Sequence, residues 1–97
     1  MAFTDQVPKP LRTTVWNAVG AVYGVLNAQG TVLYIGRTDG LARRLSEHLA
    51  DAGQCMHQRG AVSAVAEVIA TESERMRREA QLIAEYNPPC NVQHPWH

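Results

Sequence analysis

The sequence predicts an α+β fold, in which a small three-stranded antiparallel sheet is flanked by helices. Two runs rich in β-branched and aromatic residues flank a tight turn, and two later segments carry apolar residues at helical spacing. A third β-branched run lies between those two segments. At 97 residues the chain is long enough for one compact domain with its own core and too short for two. We therefore expect a single domain over residues 1–97.

The two ends of the chain are expected to lie outside the core. Residues 1–19 contain two prolines, and we expect an arm or a short helix that packs on the body through three side chains: Val15, Trp16 and Val19. Residues 92–97 are expected to be a tail that packs through Val92 or Trp96, or frays. The core is thus expected over residues 20–91.

The first two strands are predicted at residues 21–27 and 31–35, on either side of the turn sequence NAQG. If the two central turn residues form the loop, the numbers of facing residues sum to 57, and Tyr23 lies opposite Tyr34 on one face. A bulge at Gly30 would shift this pairing by one residue. The hairpin alone leaves open whether the two tyrosines pack a core or form a site.

The first helix is predicted between the capping residues 38–40 and Gly53. On a helical projection, Arg44 and His48 border the apolar side, whereas Arg43 points away from it. The apolar side consists of residues at helical spacing: Leu41, Leu45, Leu49 and Ala52. A border arginine is usually a solvated charge over a buried stem. Position alone therefore separates Arg44 from Arg43 without giving it a function.

Residues 61–70 are predicted to form the third strand, although their spacing also fits a helix. The second helix is predicted from the capping box at residues 71–74 to Tyr86, where two prolines end it. Glu79 projects into the apolar side, where a carboxylate needs a partner. That partner is either Arg75 one turn earlier or a divalent metal. The predicted apolar side includes these residues: Met76, Ala80, Ile83 and Ala84.

The charge balance argues against tight non-specific binding to nucleic acid, because nine Lys and Arg face nine Asp and Glu. Local basic patches remain, since six of the eight arginines fall into two short groups: Arg37, Arg43, Arg44, Arg75, Arg77 and Arg78. The sequence has neither the apolar run of a signal peptide nor a segment as long as a membrane span. We therefore expect a cytoplasmic protein.

The two cysteines, Cys55 and Cys90, lie 35 positions apart without a CxxC pair, and we interpret both as reduced thiols. Together with His57, His94 and His97 they match no zinc pattern with four paired ligands. The sequence also lacks the glycine-rich loops that bind nucleotide cofactors and the GxSxG elbow of serine hydrolases. Soft-metal, nucleotide-cofactor and serine chemistry are therefore not supported.

Two short motifs resemble the GIY-YIG nuclease family, and the resemblance extends over roughly residues 20–91. The first motif appears at residues 20–23 as GAVY, with AVY in place of GIY, and the second at residues 34–36 as YIG. The family's helical arginine and histidine match Arg44 and His48. Further along, the metal-binding glutamate and the late asparagine of the family match three candidates: Glu79, Asn91 and, more weakly, Asn87.

The resemblance implies a metal-dependent endonuclease that hydrolyses DNA phosphodiester bonds with a single Mg²⁺ or Mn²⁺ ion. Tyr23 is expected to act as the general base or to position the attacking water, and Tyr34 to form a hydrogen bond that helps to orient that base or the phosphate. Arg44 is expected to stabilise charge on the phosphate, and His48 to contact the phosphate or take part in proton transfer. Glu79 is expected to hold the metal ion.

Substrate contacts are expected from Arg37, directly after YIG, and from Asn91. The alternative interpretation is a non-catalytic GIY-YIG-like module that binds nucleic acid or a protein partner. Five polar residues of the family's motifs are all present: Tyr23, Tyr34, Arg44, His48 and Glu79. Their joint presence argues against this alternative, because a purely structural domain does not need all of them. The sequence leaves open whether a partner protein or a homodimer is involved.

Overall fold

A four-stranded antiparallel sheet lies between helices in the computed structural model, which describes residue 3, residues 7–51 and residues 54–91. The elements in chain order are β1 (Lys9–Pro10), β2 (Ala21–Asn27), β3 (Val32–Thr38), α1 (Leu41–Ala50), α2 (Cys55–Gln58), β4 (Ala61–Val68) and α3 (Glu72–Tyr86). The strand order is β1-β4-β2-β3. The α+β class, the antiparallel sheet and the flanking helices are confirmed.

The sheet has one strand more than predicted, because the N-terminal arm supplies β1. Lys9 pairs with Ala64 of β4, and the amide of Leu11 donates to the carbonyl of Val62 at 3.0 Å. A strand that contains proline belongs at an edge, because proline cannot donate to the ladder. Val15 is 93% exposed, contrary to the prediction. The other two expected contacts are present, since two partly buried residues pack on the core: Trp16 and Val19.

The central strand β2 is buried on both faces, and its alternation divides the core in two. Tyr23 and Val25 belong to the cluster that includes Leu45 of α1. Val22 belongs to the cluster that includes Leu82 of α3. Because side chains alternate along a strand, Tyr23 faces α1 and the adjacent Val22 faces α3.

The predicted hairpin register is wrong by two residues. Tyr23 pairs with Gly36, and Tyr34 pairs with Val25. One residue of the shift arises at the turn, where Gly30 has φ +83° and the amide of Asn27 donates to the carbonyl of residue 31 at 3.1 Å. This is a glycine bulge of the kind anticipated for that position.

A second irregularity adds the other residue of the shift, between the pairs of Val25 and Leu26. Two one-residue shifts restore the original face, because side chains repeat every two residues. Tyr23 and Tyr34 therefore lie on the same face, as predicted, although they are diagonal rather than opposite neighbours.

Helix α1 lacks the predicted side-chain cap. Gly40 is the N-cap residue, and no side chain accepts a hydrogen bond from the first turn. The hydroxyl of Thr38 instead accepts from the amide of Gly40 at 3.0 Å. The buried residues of the helix are Leu41, Leu45 and His48. The helix ends at Ala50, and residues 52 and 53, where the predicted end lies, are outside the described residues.

Helix α3 begins with the predicted capping box, since the Thr71 hydroxyl accepts from the amide of Glu74 at 3.3 Å. It ends at Asn87, which has φ 48° in the left-handed region. The predicted apolar side is partly wrong, because three of its members are exposed: Met76, Ala80 and Ala84. Its other members do pack on the core: Leu82, Ile83 and Tyr86. Arg75 is buried as well, because its guanidinium finds backbone carbonyl partners.

The interpretation of both cysteines as reduced thiols is wrong, because Cys55 and Cys90 form a disulfide with Cα atoms 5.6 Å apart. Folding brings α2 against the segment after α3, and neither spacing nor composition reveals that contact. The tail at residues 92–97, with the expected contacts of Val92 or Trp96, lies outside the described residues. The helices within residues 7–51 and 54–91 are all too short or too polar to span a bilayer.

Candidate functional site

A chain of hydrogen bonds links the first motif to α1 and to the loop that follows it. Tyr23 has no solvent-exposed surface, and its Oη lies 2.7 Å from Nε2 of His48. Nδ1 of His48 lies 2.7 Å from Oε1 of Gln54. An amide oxygen only accepts, so in this assignment Nδ1 carries the proton. Nε2 is then the acceptor for the hydroxyl of Tyr23.

The electrostatics match this direction of the bond. Burial, followed by the neighbouring Tyr34, raises the pKa of Tyr23 well above its usual value, and Arg44 opposes the shift. Burial also lowers the pKa of His48, although its bond to Gln54 opposes this. The tyrosine is therefore protonated and the imidazole neutral near pH 7. Each group is in the state that the hydrogen bond needs.

The second tyrosine completes a packed aromatic cluster. The centroid of Tyr34 lies 6.1 Å from that of Tyr23 and 5.6 Å from the imidazole of His48. Such separations are typical of favourable aromatic contacts. Tyr34 is only partly buried, so its ring forms the outer wall of the cluster.

Gly36 makes room for this cluster. A Cβ atom at this position would lie 2.6 Å from Oη of Tyr23 and 2.9 Å from Cε2 of Tyr34. The ring of Tyr23 therefore crosses β3 directly over Gly36. The glycine of the YIG motif therefore leaves the space that the ring of Tyr23 occupies beside Tyr34.

Arg44 lies beside the cluster on α1, with its side chain 38% exposed. Its guanidinium acts on Tyr23 by charge and by hydrogen bonding, which lowers the pKa of that hydroxyl. Nη1 also pairs with Oε1 of Glu47 at 2.9 Å. Arg43 pairs with Asp39 at 3.0 Å and more distantly with Glu47 at 3.9 Å, and its side chain is 63% exposed. The structure thus separates the two arginines as the projection predicted.

The opposite face of the hairpin carries a second group of charged residues. Arg37 donates from Nη1 to Oε1 of Glu79 at 2.5 Å and from Nε to Oε2 of Glu72 at 2.7 Å. Glu79 is well shielded, with 18% of its side chain exposed. Arg75 is used elsewhere, because its Nη1 donates to the carbonyl of Ile69 at 2.7 Å. The expected partner Arg75 is therefore replaced by Arg37.

The donor set around Glu79 fits a hard cation held mostly by water and phosphate oxygens. The carboxylate already faces a positive charge, and Glu72 contacts the same guanidinium. In the described part of the chain, no group of three or more His, Cys, Asp or Glu residues could hold a metal ion. Mg²⁺ is commonly bound by one or two carboxylates with its other positions left to water and phosphate.

Asn91 holds the edge of β3 at the middle residue of YIG. Its Oδ1 accepts from the amide of Ile35 at 2.9 Å, and its Nδ2 donates to the carbonyl of Ile35 at 2.9 Å. Both polar groups are used by the chain itself, which indicates a positioning role rather than the predicted substrate contact. Asn87, the weaker candidate, ends α3.

A cleft of about 600 Å³ joins the two charged groups beyond the end of β3. Arg44 and Glu47 line it from α1, and Arg37 and Glu72 line it from the other side. The cleft is therefore the place where a ligand can meet side chains from both faces of the sheet. No pattern in the sequence indicated Gln54, which lies just before α2 in the segment between two helices.

Comparisons with known proteins agree with the motifs. The family model of the GIY-YIG catalytic domain matches residues 19–92. UvrABC system protein C of Sphingopyxis alaskensis is 37% identical over 75 residues, which cover 73% of this chain and 12% of that protein. The same protein of Methylococcus capsulatus is 33% identical over 88 residues, covering 87% and 14%. The chain therefore spans only about an eighth of the length of these relatives.

Solved structures show the same fold. The GIY-YIG N-terminal endonuclease domain of UvrC from Thermotoga maritima, as a point mutant bound to its catalytic divalent cation, superposes with a TM-score of 0.67 and 30% identity. The match covers 79% of this chain and 87% of that one. The magnesium-bound form of that domain gives a TM-score of 0.63 and 29% identity, with 75% and 83% coverage.

Proposed function

Since the chain belongs to the GIY-YIG nuclease family, we propose that it is a metal-dependent endonuclease that hydrolyses DNA phosphodiester bonds. This proposal rests on one observation, the hydrogen-bonded pair of Tyr23 and His48 beside Arg44. Arg44 lines the cleft and acts on the buried tyrosine behind it, and that tyrosine is bonded to a neutral imidazole. A fixed cation and a proton acceptor are parts that a phosphodiester hydrolysis needs. The relatives and structural neighbours support the class of reaction.

Proton transfer in this site runs from water to Tyr23 and from Tyr23 to His48. As the water attacks phosphorus, its proton passes to Oη of Tyr23 while the hydroxyl proton passes to Nε2 of His48. The imidazole becomes a cation, and its Nδ1–H remains bound to Gln54. This relay removes the need for a free tyrosinate, which the raised pKa of Tyr23 makes costly.

The two arginines stabilise charge on the phosphate from opposite sides of the cleft. Arg44 turns from Glu47 toward the phosphate, and its fixed charge favours the more negative transition state. Arg37 is the second cation at the cleft. Each guanidinium exchanges a carboxylate for a phosphate. One anionic partner replaces another, so the free-energy cost of the exchange is small.

Glu79 is the residue that would hold the Mg²⁺ or Mn²⁺ ion, and Arg37 then keeps its bond to Glu72. When bound, the ion polarises the phosphodiester and stabilises the leaving oxygen. Tyr34 keeps the ring of Tyr23 in place. The catalytic unit is the nuclease core at residues 20–91.

Nicking of supercoiled plasmid with Mg²⁺, Mn²⁺ or EDTA tests the proposal. Arg44→Ala and Glu79→Ala are each expected to lower the rate by about 100-fold or more. Arg77→Ala and Glu85→Ala remove the same charges from exposed positions of α3 and are expected to nick like the wild type. Equal nicking by all variants, or nicking in EDTA, would contradict the assignment.

The alternative is a non-catalytic module that binds nucleic acid or a protein partner. The neutral net charge is the observation that favours it, because it supplies no overall field that draws DNA into a catalytic cleft. Under this alternative, duplex, branched and single-stranded substrates are bound but never cut. Binding then weakens as salt rises, because the contacts are to phosphates.

A further inference from the structure

The disulfide connects the two segments that support the proposed site from outside. Cys55 directly follows Gln54, whose side chain holds His48. Cys90 directly precedes Asn91, whose side chain holds Ile35. Apart from the main chain, no other covalent link joins these two segments in the described part of the protein.

Both segments are too short to hold their position alone. Helix α2 has four residues, well below the length at which an isolated helix is stable. It is fixed by the buried Met56, by a hydrogen bond from His57 to the carbonyl of His48 and by the disulfide. Cys90 likewise donates its amide to the carbonyl of Leu33 at 2.9 Å.

We propose that the Cys55–Cys90 pair is a reversible thiol–disulfide switch that controls how firmly Gln54 and Asn91 hold the nuclease site. The bridge spans 35 positions, so opening it raises the chain entropy of the unfolded state and lowers the stability of the fold that holds the two segments. The effect on nicking rests on the proposed function, whereas the structural effect does not.

The exposure of the two cysteine residues indicates how the bridge opens. Cys90 is 2% exposed, whereas Cys55 is partly exposed. A thiolate of a small dithiol attacks Sγ of Cys55, the Cys55–Cys90 bond breaks, and Cys90 leaves as a thiolate that takes up a proton. The second thiol of the reductant then displaces Cys55. The protein gains two electrons and two protons, and the dithiol becomes a cyclic disulfide.

The first arm of the test compares the oxidised full chain with the chain reduced by dithiothreitol, with the thiol state checked by mass after iodoacetamide trapping. Reduction is expected to speed hydrogen exchange of the Ile35 amide by roughly tenfold, because Asn91 releases it more often. Plasmid nicking is expected to fall roughly tenfold as His48 loses its fixed partner. Cys55→Ser and Cys90→Ser are expected to match the reduced chain under both conditions.

The outcomes separate this inference from the proposed function. A bridge that dithiothreitol cannot open in the folded chain, or equal Ile35 exchange in both states, would overturn the switch and leave the nuclease proposal standing. A change in exchange without nicking in either state would support the switch and refute the nuclease. If a serine variant fails to fold, the reduced and alkylated wild-type chain provides the same comparison.

Discussion

The two faces of the β2–β3 hairpin hold their functional groups in opposite ways. On the α1 face, Tyr23 and His48 are buried, and a 2.7 Å hydrogen bond fixes them to each other. On the α3 face, Arg37 has 36% of its side chain exposed and shares its charge between Glu72 and Glu79. The first arrangement is fixed by packing, whereas the second consists of ion pairs that can change partners.

This difference matches the two tasks of the proposed reaction. Proton transfer needs fixed geometry and a neutral, desolvated acceptor. The phosphate of the substrate enters and leaves in each cycle, so the side chains that bind it must exchange partners. We therefore expect substitutions on the α1 face to lower both stability and activity, and those on the α3 face to change activity and metal dependence alone.

The largest effect is expected from Gly36→Ala, because the new Cβ would lie 2.6 Å from Oη of Tyr23. Overpacking of this kind costs about 2 kcal/mol, and it displaces both tyrosines. Nicking should be lost, and the melting temperature should fall by roughly 10 °C. Gly40→Ala is the matched control, since its Cβ meets only the flexible end of Arg43. Equal melting temperatures for the two variants would contradict the packing described for Gly36.

Next in size is Tyr23→Phe, which removes the hydroxyl and leaves the cluster in place. Loss of the proton relay should lower the nicking rate by about 1000-fold. The free energy of unfolding should fall by only about 1 kcal/mol, because one buried hydrogen bond is lost. Tyr86→Phe removes a hydroxyl that bonds to the amide of Phe3, away from the cleft. That control should nick normally, and a similar loss in both would show that Tyr23 acts only through stability.

A third expectation concerns pH. Burial lowers the pKa of His48 below its ordinary 6.5, so the unfolded chain binds the proton more readily than the folded one. Stability contributed by the neutral imidazole is therefore complete above pH 6.5 and is lost as pH falls toward the folded pKa. Urea unfolding from about pH 8 to 5 should show this decline. His48→Asn should flatten it, and an unchanged slope would assign the decline to other groups.

The smallest effect is expected from Glu72→Gln on the exposed face. Without Glu72, Arg37 has one carboxylate left and competes more strongly for Glu79. The Mg²⁺ concentration for half-maximal nicking should rise roughly threefold, with little change in melting temperature, because exposed ion pairs are weak. Glu74→Gln removes the same charge from the first turn of α3 and should leave the Mg²⁺ requirement unchanged. A requirement that falls in Glu72→Gln would show that Arg37 does not compete for Glu79.

Local patterns were enough to predict most elements. Alternation and helical spacing identified β2, β3, β4, α1 and α3, and the capping box set the start of α3. The projection also separated Arg44 from Arg43. These features depend on residues a few positions apart, which is the range over which spacing is informative.

Features that depend on distant residues could not be predicted. Strand β1 has only two residues, too few to show the alternation that identifies a strand, and it forms only by pairing with β4. The contacts of His48 with Gln54 and of Arg37 with Glu79 arise only when separate elements meet. Two one-residue irregularities in the hairpin changed which residues pair across the strands. Together they shift the register by two residues, so each side chain stays on the face that was predicted.

The outer edge of β3 has one more consequence. An uncovered edge strand offers free amides and carbonyls to strands of other molecules, which leads to aggregation. Here the carbonyl of Leu33 is bound by Cys90, and both backbone groups of Ile35 are bound by Asn91. The same hydrogen bonds that hold the motif therefore protect this stretch of the sheet against edge-to-edge association with a second chain.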